Sequence, residues 1–315
     1  MGYIKKNGRL LYVKDSTEVG NDNECIVKIK YCGVCGTDFQ KYISLDEITE
    51  WGHEIVGLVE GEEEKGAVTI RTSFPCGNCE ECMNHNPQLC TDWTRCCING
   101  YSDKVAIDRR NVLFLNETDI DPVFTLVEPL YVARSLIERV DLQVDDRLAI
   151  IGNGTIALLA GFLARKSCTT IAIMARNHTR RRTTLEENLG LNQYGFSEMQ
   201  KQLWFYNKII VTTPYTTISD VIRYAKSFSM VSFNGISSES IVSINANTWH
   251  FKNLEIWPSF PHPQSDFSGE IEIIKKNKPF LRRFITAIYP GEQIQIAFQN
   301  LAKNKKDHIK MVIGF

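Results

Sequence analysis

The sequence predicts an α/β protein in which an inserted unit with a parallel sheet interrupts a β-rich unit. Three observations support this prediction. Residues 24–31 alternate apolar and polar side chains, as a half-buried strand does. From residue 147 onward, short apolar strands alternate with helical segments, which is the pattern of a parallel sheet covered by helices. An apolar stretch at residues 309–315 then offers a closing strand for the first unit.

Length and composition exclude several classes of protein. The 315 residues suit about two domains. The formal net charge is −1, so no strong field attracts nucleic acid or an acidic membrane surface. Hydrophobic residues (43%) and charged residues (23%) have ordinary globular values. No apolar block follows Lys5 and Lys6, and the uncharged stretch 148–164 is too short to span a membrane. We therefore expect a cytoplasmic protein that binds neither nucleic acid nor membrane.

The order of the predicted elements gives the domain plan. We expect residues 1–121 and 262–315 to form the β-rich unit, and residues 122–261 to form the inserted unit. Val132, Leu136 and Val140 share a helical face at the start of the insert. Its predicted strands are 147–151, 170–174, 208–212, 230–233 and 254–260, and its predicted helices are 179–189 and 218–227. Near the C-terminus, one further helical face comprises Ile294, Ala297, Phe298 and Leu301.

Four cysteines lie within one short loop, for which we predict neither helix nor strand (residues 75–90). They are Cys76, Cys79, Cys82 and Cys90. Four thiolates at this spacing can surround a zinc ion tetrahedrally and leave no position open, so the predicted zinc is structural. An iron–sulfur cluster fits the spacing less well. A nucleic-acid-binding zinc module is disfavoured because acidic residues, not basic ones, surround the loop.

A second set of ligand-type residues is spread along the chain. Cys35 begins the run Cys-Gly-Thr-Asp, His53 and Glu54 follow Gly52, and Glu128 lies far downstream. One thiolate, one imidazole and one or two carboxylates suit a catalytic zinc with an exchangeable position. Taken alone, a His beside a Glu is more often a hydrogen-bonded pair, and this alternative stays open.

A glycine-rich turn follows the predicted strand 147–151. Gly152, Gly154, Thr155 and Ile156 belong to a G-x-G-x-x-A pattern that leads into an apolar helix. The first glycine permits a tight turn, and the second lets the backbone approach a pyrophosphate. The sequence therefore predicts a dinucleotide-binding site at this turn.

The end of the next strand indicates which dinucleotide binds. An acidic residue that would bind the ribose hydroxyls is absent there, because Ala175 and Arg176 occupy the position. Arg176, with Arg180 and its two neighbours Arg181 and Arg182, can donate hydrogen bonds to a 2'-phosphate. We therefore expect NADP(H) to be favoured over NAD(H). Alternatively, some of these arginines form only a solvated helix start.

Taken in order, these motifs resemble the zinc-dependent medium-chain alcohol/polyol dehydrogenase family. The similarity includes Val-Glu-Pro-Leu at residues 127–130 and the closing stretch at residues 308–315, and it covers almost the whole chain. It implies a GroES-like catalytic domain, an inserted Rossmann domain and an active site in the cleft between them. It also implies two zinc ions per chain, one catalytic and one structural, and a homodimer or homotetramer joined near residues 254–260.

The resemblance also implies a role for each residue of the second set. Cys35 and His53 would bind the catalytic zinc, and Glu54 would bind it or lie just behind it. Glu128 would lie near the zinc, as in the polyol-type and threonine-type members of the family. Two neighbours complete the site, since Asp38 would orient His53 and Thr37 would pass on the substrate proton.

The implied reaction moves a hydride between NADP(H) and a secondary alcohol or ketone. A polyol, an amino alcohol or a biosynthetic cyclitol would suit the zinc. Gln40 departs from the family pattern, since a histidine that completes the proton relay often stands at this position, and glutamine is neither acid nor base near neutral pH. A catalytically impaired, zinc-stabilised binding protein on the same scaffold is therefore the alternative.

Overall fold

A computed structural model describes residues 2–13, 22–44, 46–95, 98–116, 120–235, 241–259 and 266–315. The chain divides into two compact units, the first comprising Met1–Glu128 and Pro261–Phe315 and the second comprising Pro129–Phe260. The expected boundary after residue 121 lies just before a 3-10 turn, Pro122–Leu126, which belongs to the first unit. No helix in the described ranges combines the length and apolarity needed to cross a membrane.

The described residues form the following strands and helices. The strands are β1 (Gly2–Lys6), β2 (Arg9–Val13), β3 (Glu24–Gly33), β4 (Glu54–Val59), β5 (Val68–Ile70), β6 (Ser73–Phe74), β7 (Thr94–Arg95), β8 (Lys104–Asp108), β9 (Val112–Phe114), β10 (Arg147–Ile151), β11 (Thr170–Ala175), β12 (Asn192–Gly195), β13 (Lys208–Val211), β14 (Met230–Phe233), β15 (Glu255–Pro258), β16 (Ile285–Pro290) and β17 (Lys310–Gly314). The helices are α1 (Gly36–Ile43), α2 (Glu80–Met83), α3 (Val127–Arg139), α4 (Thr155–Ala164), α5 (Arg180–Asn188), α6 (Met199–Gln202), α7 (Thr217–Tyr224), α8 (Ala246–Lys252), α9 (Ser268–Leu281) and α10 (Ile294–Asn304).

The first unit is organised around strand β3. In its seven-stranded sheet the order is β16-β17-β3-β4-β5-β9, and β8 also pairs with β3. The apolar side chains of β3 point inward, as the predicted alternation requires, and Val27 and Ile29 are fully buried or nearly so. The core beneath them includes Phe298 and Leu301 of α10. Residues from both ends of the chain therefore share one sheet and one core.

The second unit contains a six-stranded, entirely parallel sheet in the order β12-β11-β10-β13-β14-β15. The strands β10 and β13 at its centre are buried along most of their length, which is why they read as continuous apolar runs. The predicted fold class, a GroES-like β-rich domain with an inserted Rossmann domain, is confirmed.

One local expectation was wrong, and one strand was missed. Residues 75–90 are not without regular structure, because α2 (Glu80–Met83) and a 3-10 turn (Pro87–Leu89) lie within them. Cys79 is the N-cap of α2, and Glu80 and Glu81 occupy its first turn, where acidic side chains complement the exposed N–H groups. The short edge strand β12 was not predicted, since its sequence NQYG lacks the alternation that marks a strand.

Candidate functional site

Strand pairing in the first unit brings three candidate zinc ligands together. Cys35 is the N-cap of α1 just after β3, while His53 and Glu54 lie at the start of β4. Because β3 and β4 are antiparallel, with Gly33 opposite Glu54, the two ligand-bearing segments meet at one end of the sheet. The ligand atoms of Cys35, His53 and Glu54 all lie within 4.8 Å of one another, and this trio could hold a metal ion.

Asp38 connects the two segments that carry these ligands. Its carboxylate is buried and accepts hydrogen bonds from the backbone N–H of Cys35 (3.1 Å) and of Gly52 (3.0 Å). It also accepts one from the Tyr101 hydroxyl at 2.9 Å. His53 Nδ1 lies 3.9 Å from Asp38 Oδ1, which is longer than a hydrogen bond. Asp38 therefore positions both segments through the backbone, and at this distance it acts on the imidazole through its charge.

The side chain of His53 lies among negatively charged groups, and these surroundings suit a residue that binds a metal ion. Its side chain is 26% exposed, so one side of the cluster remains accessible. Burial lowers the pKa of His53, but the nearby Cys35 and Asp38 raise it by more, so the net pKa lies well above the ordinary value. A site that stabilises an imidazolium in this way also favours a bound divalent cation, because the same negative groups attract both.

Glu54 is held from behind by a lysine that the sequence analysis did not identify. Lys310 Nζ, on β17, lies 2.6 Å from both carboxylate oxygens of Glu54 and donates a further bond of 3.1 Å to the Val34 carbonyl. Both side chains are buried. Burial lowers the pKa of Lys310, but Glu54 and Cys35 raise it by more, so the lysine stays charged. Glu54 thus forms a buried ion pair in addition to facing the cluster.

The glycine opposite Glu54 makes this arrangement possible. A Cβ atom at Gly33 would lie 2.0 Å from Glu54 Oε2. A side chain at position 33 would therefore collide with the buried carboxylate. Only glycine leaves the space that Glu54 occupies.

Glu128 lies near the cluster but outside the group of atoms within 4.8 Å. Its carboxyl group is buried, and burial raises its pKa to about 7, although the charge of His53 acts in the opposite direction. A carboxyl group of this kind can release its proton when a cation arrives, so Glu128 fits a role beside the metal.

Thr37, the predicted proton carrier, and Gln40, the departure from the family pattern, follow Cys35 on α1. Thr37 is half-buried within the first turn, and Gln40, one turn later, is exposed. A proton that leaves Thr37 would therefore meet an amide and solvent, not an imidazole.

The four cysteines of the loop form a compact group of sulfurs. Their Sγ atoms all lie within 4.8 Å of one another. The distances are 3.6 Å for Cys76 to Cys90, 3.8 Å for Cys79 to Cys90 and 3.9 Å for Cys76 to Cys82. A tetrahedron with Zn–S bonds of ~2.3 Å has edges of roughly 3.8 Å. The cluster therefore fits a four-thiolate zinc site.

Backbone N–H groups in the same loop point at the sulfurs. Cys79 N donates to Cys76 Sγ at 3.3 Å, and Cys76 N donates to Cys90 Sγ at 3.4 Å. A hydrogen bond from the Asn78 backbone lowers the pKa of Cys76 to about 7. Such bonds stabilise the thiolate, which is the form that binds zinc.

The glycine turn of the second unit joins β10 to α4. Gly152 has φ +109°, and a Cβ there would lie 2.5 Å from Thr212 Oγ1, so only glycine fits. At Gly154 an added Cβ would meet no atom within 4 Å, which leaves space over the N-terminus of α4. Thr155 and Ile156 form its first turn and are half-buried. The N–H groups of a helix start can bind a pyrophosphate, so the residues present fit a dinucleotide.

The predicted ribose-binding residues lie at the end of β11 and just after it, next to this turn. Gly152 N donates to the Met174 carbonyl at 2.8 Å, so Ala175 and the glycine turn lie at the same edge of the sheet. Arg176 and Arg180 are exposed there. Arg182 differs from them, because its guanidinium donates to Asn153 Oδ1 at 2.7 Å.

Sequence reasoning missed Tyr101, Lys310 and Asn153. Burial raises the pKa of the fully buried Tyr101 well above its ordinary value, and the charge of Asp38 adds to this effect. A signal was present for Lys310, since a lone charge stood in the apolar run of β17. The sequence contained less indication of Asn153, because this residue occupies a position of the glycine motif at which any residue is allowed.

The two sheets, with a cluster that could hold a metal ion, are the arrangement typical of a zinc-type dehydrogenase with a nucleotide-binding unit. Residues 21–117 match the family described as the alcohol dehydrogenase GroES-like domain. The chain is 22% identical to L-galactonate-5-dehydrogenase of Escherichia coli K12, over 97% of this chain and 96% of that protein. It is 26% identical to sorbitol dehydrogenase of Halalkalibacterium halodurans, over 53% of this chain and 52% of that protein. The chain is thus similar to zinc-type alcohol and polyol dehydrogenases, with two of these matches extending over 97% of its length.

Solved structures agree in fold. An alcohol dehydrogenase of Escherichia coli CFT073, complexed with NADH, superposes with a TM-score of 0.84 at 18% identity, covering 100% of this chain and 98% of that one. A protein of Sinorhizobium meliloti 1021 described as a zinc-binding dehydrogenase, bound to NADP, has a TM-score of 0.81 at 20% identity and covers 100% of both chains. Relatives of this fold therefore include structures with either nicotinamide dinucleotide.

Proposed function

We propose that the protein is a zinc-dependent oxidoreductase that transfers a hydride between NADP(H) and a secondary alcohol or its ketone. One observation carries this proposal: a thiol, an imidazole and a carboxylate lie within 4.8 Å of one another, and the imidazole is partly exposed. This donor set suits a catalytic zinc, which needs an open coordination position, whereas the four-cysteine cluster suits a closed, structural zinc.

The bound groups would supply Lewis-acid polarisation of the substrate oxygen and a hydride acceptor or donor. The chain supplies the rest. Cys35 and His53 would hold the metal, with Asp38 fixing their two segments through the backbone N–H groups of Cys35 and Gly52. In oxidation, the hydroxyl proton would pass to Thr37 and then to water, because the exposed Gln40 cannot accept it. In reduction, Thr37 would return the proton to the substrate oxygen.

The preference for NADP(H) rests on the end of β11. Ala175 is uncharged where an acid would repel a 2'-phosphate, and the exposed Arg176 follows it directly. Structures related to this chain carry either NADH or NADP, so the choice must come from residues of this chain.

For the substrate we propose a polyol or a sugar acid with a secondary hydroxyl group. The matched relatives include a galactonate dehydrogenase and a sorbitol dehydrogenase. Glu128 supports this branch, since it is a buried carboxyl group near the cluster where alcohol-type members of the family place a cysteine. A carboxyl group offers hydrogen bonds to neighbouring hydroxyls that a thiol offers only weakly.

A substrate panel tests the proposal. Purified protein with about two zinc ions per chain is mixed with secondary alcohols, polyols, sugar acids and their ketones. Nicotinamide absorbance is followed with NADP(H) and NAD(H) side by side. We expect turnover that is fastest with a polyol or sugar acid and with NADP(H), and that is lost in a Cys35→Ser variant retaining the structural zinc. Protein that holds a single zinc ion and turns over nothing in the panel would instead be the catalytically impaired binding protein.

A further inference from the structure

The variable residue of the glycine turn makes more hydrogen bonds than its neighbours. Asn153 stands between Gly152 and Gly154 and is buried. Its Nδ2 donates to the Asn177 carbonyl at 2.8 Å and to Glu186 Oε1 at 3.1 Å. Its Oδ1 accepts from Arg182 at 2.7 Å. The side-chain amide therefore uses both of its protons and its oxygen within the second unit.

The carboxylate that faces Asn153 belongs to a wider set of contacts. Glu186 is fully buried on α5, and its second oxygen lies 2.9 Å from His178 Nδ1. The other ring nitrogen of His178 lies 3.0 Å from the Tyr194 carbonyl of β12. A buried carboxylate is stable only when such partners replace water, so the group is held as a unit. We call the set Asn153, His178, Arg182 and Glu186 the Asn153 network.

The Asn153 network joins the two segments that would hold the cofactor. Glycine has the greatest backbone freedom of all residues, so Gly152 and Gly154 would make the turn flexible. The hydrogen bonds of Asn153, which lies between them, restrain the turn. Its partners Asn177 and Arg182 lie on the segment that follows β11 and begins with Arg176, directly after Ala175. The pyrophosphate turn and the ribose segment are thereby fixed relative to each other before any nucleotide binds.

We propose that the Asn153 network positions the glycine turn, and that Arg182 acts through Asn153 instead of binding a 2'-phosphate. This inference rests on the proposed dehydrogenase function. Among the basic residues after β11, Arg176 and Arg180 are exposed, whereas the guanidinium of Arg182 is occupied within the fold. Loss of the network should therefore weaken NADPH and NADH alike, because both contain the pyrophosphate. Loss of Arg176 should weaken NADPH alone.

The test is cofactor binding by the zinc-loaded, full-length protein. NADPH and NADH are titrated separately into the unmodified protein and into Asn153→Ala, Arg182→Met and Arg176→Met, and Kd is read from nicotinamide fluorescence. We expect Asn153→Ala and Arg182→Met to raise both Kd values by about tenfold with little change in their ratio. We expect the matched control, Arg176→Met, to raise the Kd of NADPH only.

Two results would overturn the inference. One is an Arg182→Met variant whose Kd rises for NADPH alone, because Arg182 would then bind the phosphate itself. The other is an Asn153→Ala variant that binds both nucleotides as the unmodified protein does. If Asn153→Ala folds poorly, Glu186→Gln provides a milder variant. In nucleotide-free Glu186→Gln, hydrogen exchange of the backbone amides at residues 152–155 should be faster than in the unmodified protein. Unchanged exchange at these residues would count against the network.

The proposed function can fail separately. Unmodified protein that binds NADH at least as tightly as NADPH would refute the cofactor preference, while the parallel rise in both Kd values would still support the network. Protein that binds neither nucleotide would refute both proposals.

Discussion

Lys310 Nζ lies 2.6 Å from both carboxylate oxygens of Glu54, and the two side chains are 3% and 1% exposed. They are far apart in the sequence, one on the closing strand β17 and the other on β4, beside a candidate zinc ligand. If a metal ion were the only cation near the buried Glu54, the carboxylate would lose its neutralising partner whenever the metal dissociated. Lys310 supplies that neutralisation permanently.

Substitution Lys310→Met should destabilise the protein strongly. It leaves Glu54 buried without its cation, and breaking a buried pair in this way costs about 3–5 kcal/mol of the free energy of unfolding. Denaturation by urea near neutral pH measures the loss. Lys28→Met is the matched control, since Lys28 pairs with Glu60 and Glu63 on the surface of the same unit, where solvent screens the pair and its loss should cost far less. Similar losses of unfolding free energy in the two variants would show that the buried pair stabilises the protein no more than a surface pair does.

Glu128 should give the metal-free protein a defined pH dependence. Burial raises its pKa from 4.5 to about 7, so the folded protein retains a proton that the unfolded chain has already released in this interval. The folded state therefore loses stability as the pH rises from 4.5 to about 7, by ~3 kcal/mol over the interval. Chelator-treated Glu128→Gln should lack this loss.

Urea unfolding of both metal-free proteins at several pH values in this range tests the Glu128 prediction. The stability of Glu128→Gln relative to the unmodified protein should increase with pH and then level off above about pH 7. Parallel pH profiles would mean that Glu128 titrates normally and is not buried as described.

The four-cysteine cluster should account for one of two bound zinc ions. Cys79→Ser removes one thiolate from the tetrahedron, so metal content measured by elemental analysis should fall from about two ions per chain to about one. The thermal midpoint should fall with it. Cys25→Ser is the control, because this thiol is buried in the core of the first unit and belongs to neither cluster. Its zinc content should be unchanged, and an equal loss in Cys25→Ser would argue against the assignment.

The charge at position 175 should control cofactor choice. Ala175→Asp places a carboxylate at the end of β11, where it repels a 2'-phosphate and can accept bonds from ribose hydroxyls. We expect kcat/KM for NADPH relative to NADH to fall by about tenfold or more. Ala175→Asn has the same shape without the charge and should shift the ratio much less. If the two variants behave alike, size and not charge decides at this position.

Local signals in the sequence predicted the fold and most candidate residues. The alternation along β3, the apolar runs of the parallel strands and the glycine turn are all properties of short segments, so one sequence suffices to find them. The clustering of Cys35 with His53 required only the pairing of two consecutive sheet strands. Short spacing also made the four-cysteine loop recognisable.

Residues that act through distant partners could not be found in this way. Lys310 meets Glu54 across 256 positions, and Asn153 meets Glu186 across 33. No periodicity or motif spacing encodes such contacts, because packing of the completed fold selects the partners. The polar strand β12 was missed for a related reason, since it is held by pairing with β11 and not by its own composition.

The pairing of β17 with β3 also constrains the order of events during synthesis. Cys35, His53 and Glu54 emerge from the ribosome early, while Lys310 emerges only after the whole second unit has been made. Until then the nascent chain presents an unpaired strand edge and an uncompensated acid beside two soft ligands. The first unit can therefore complete its sheet and neutralise Glu54 only after residue 310 has been synthesised.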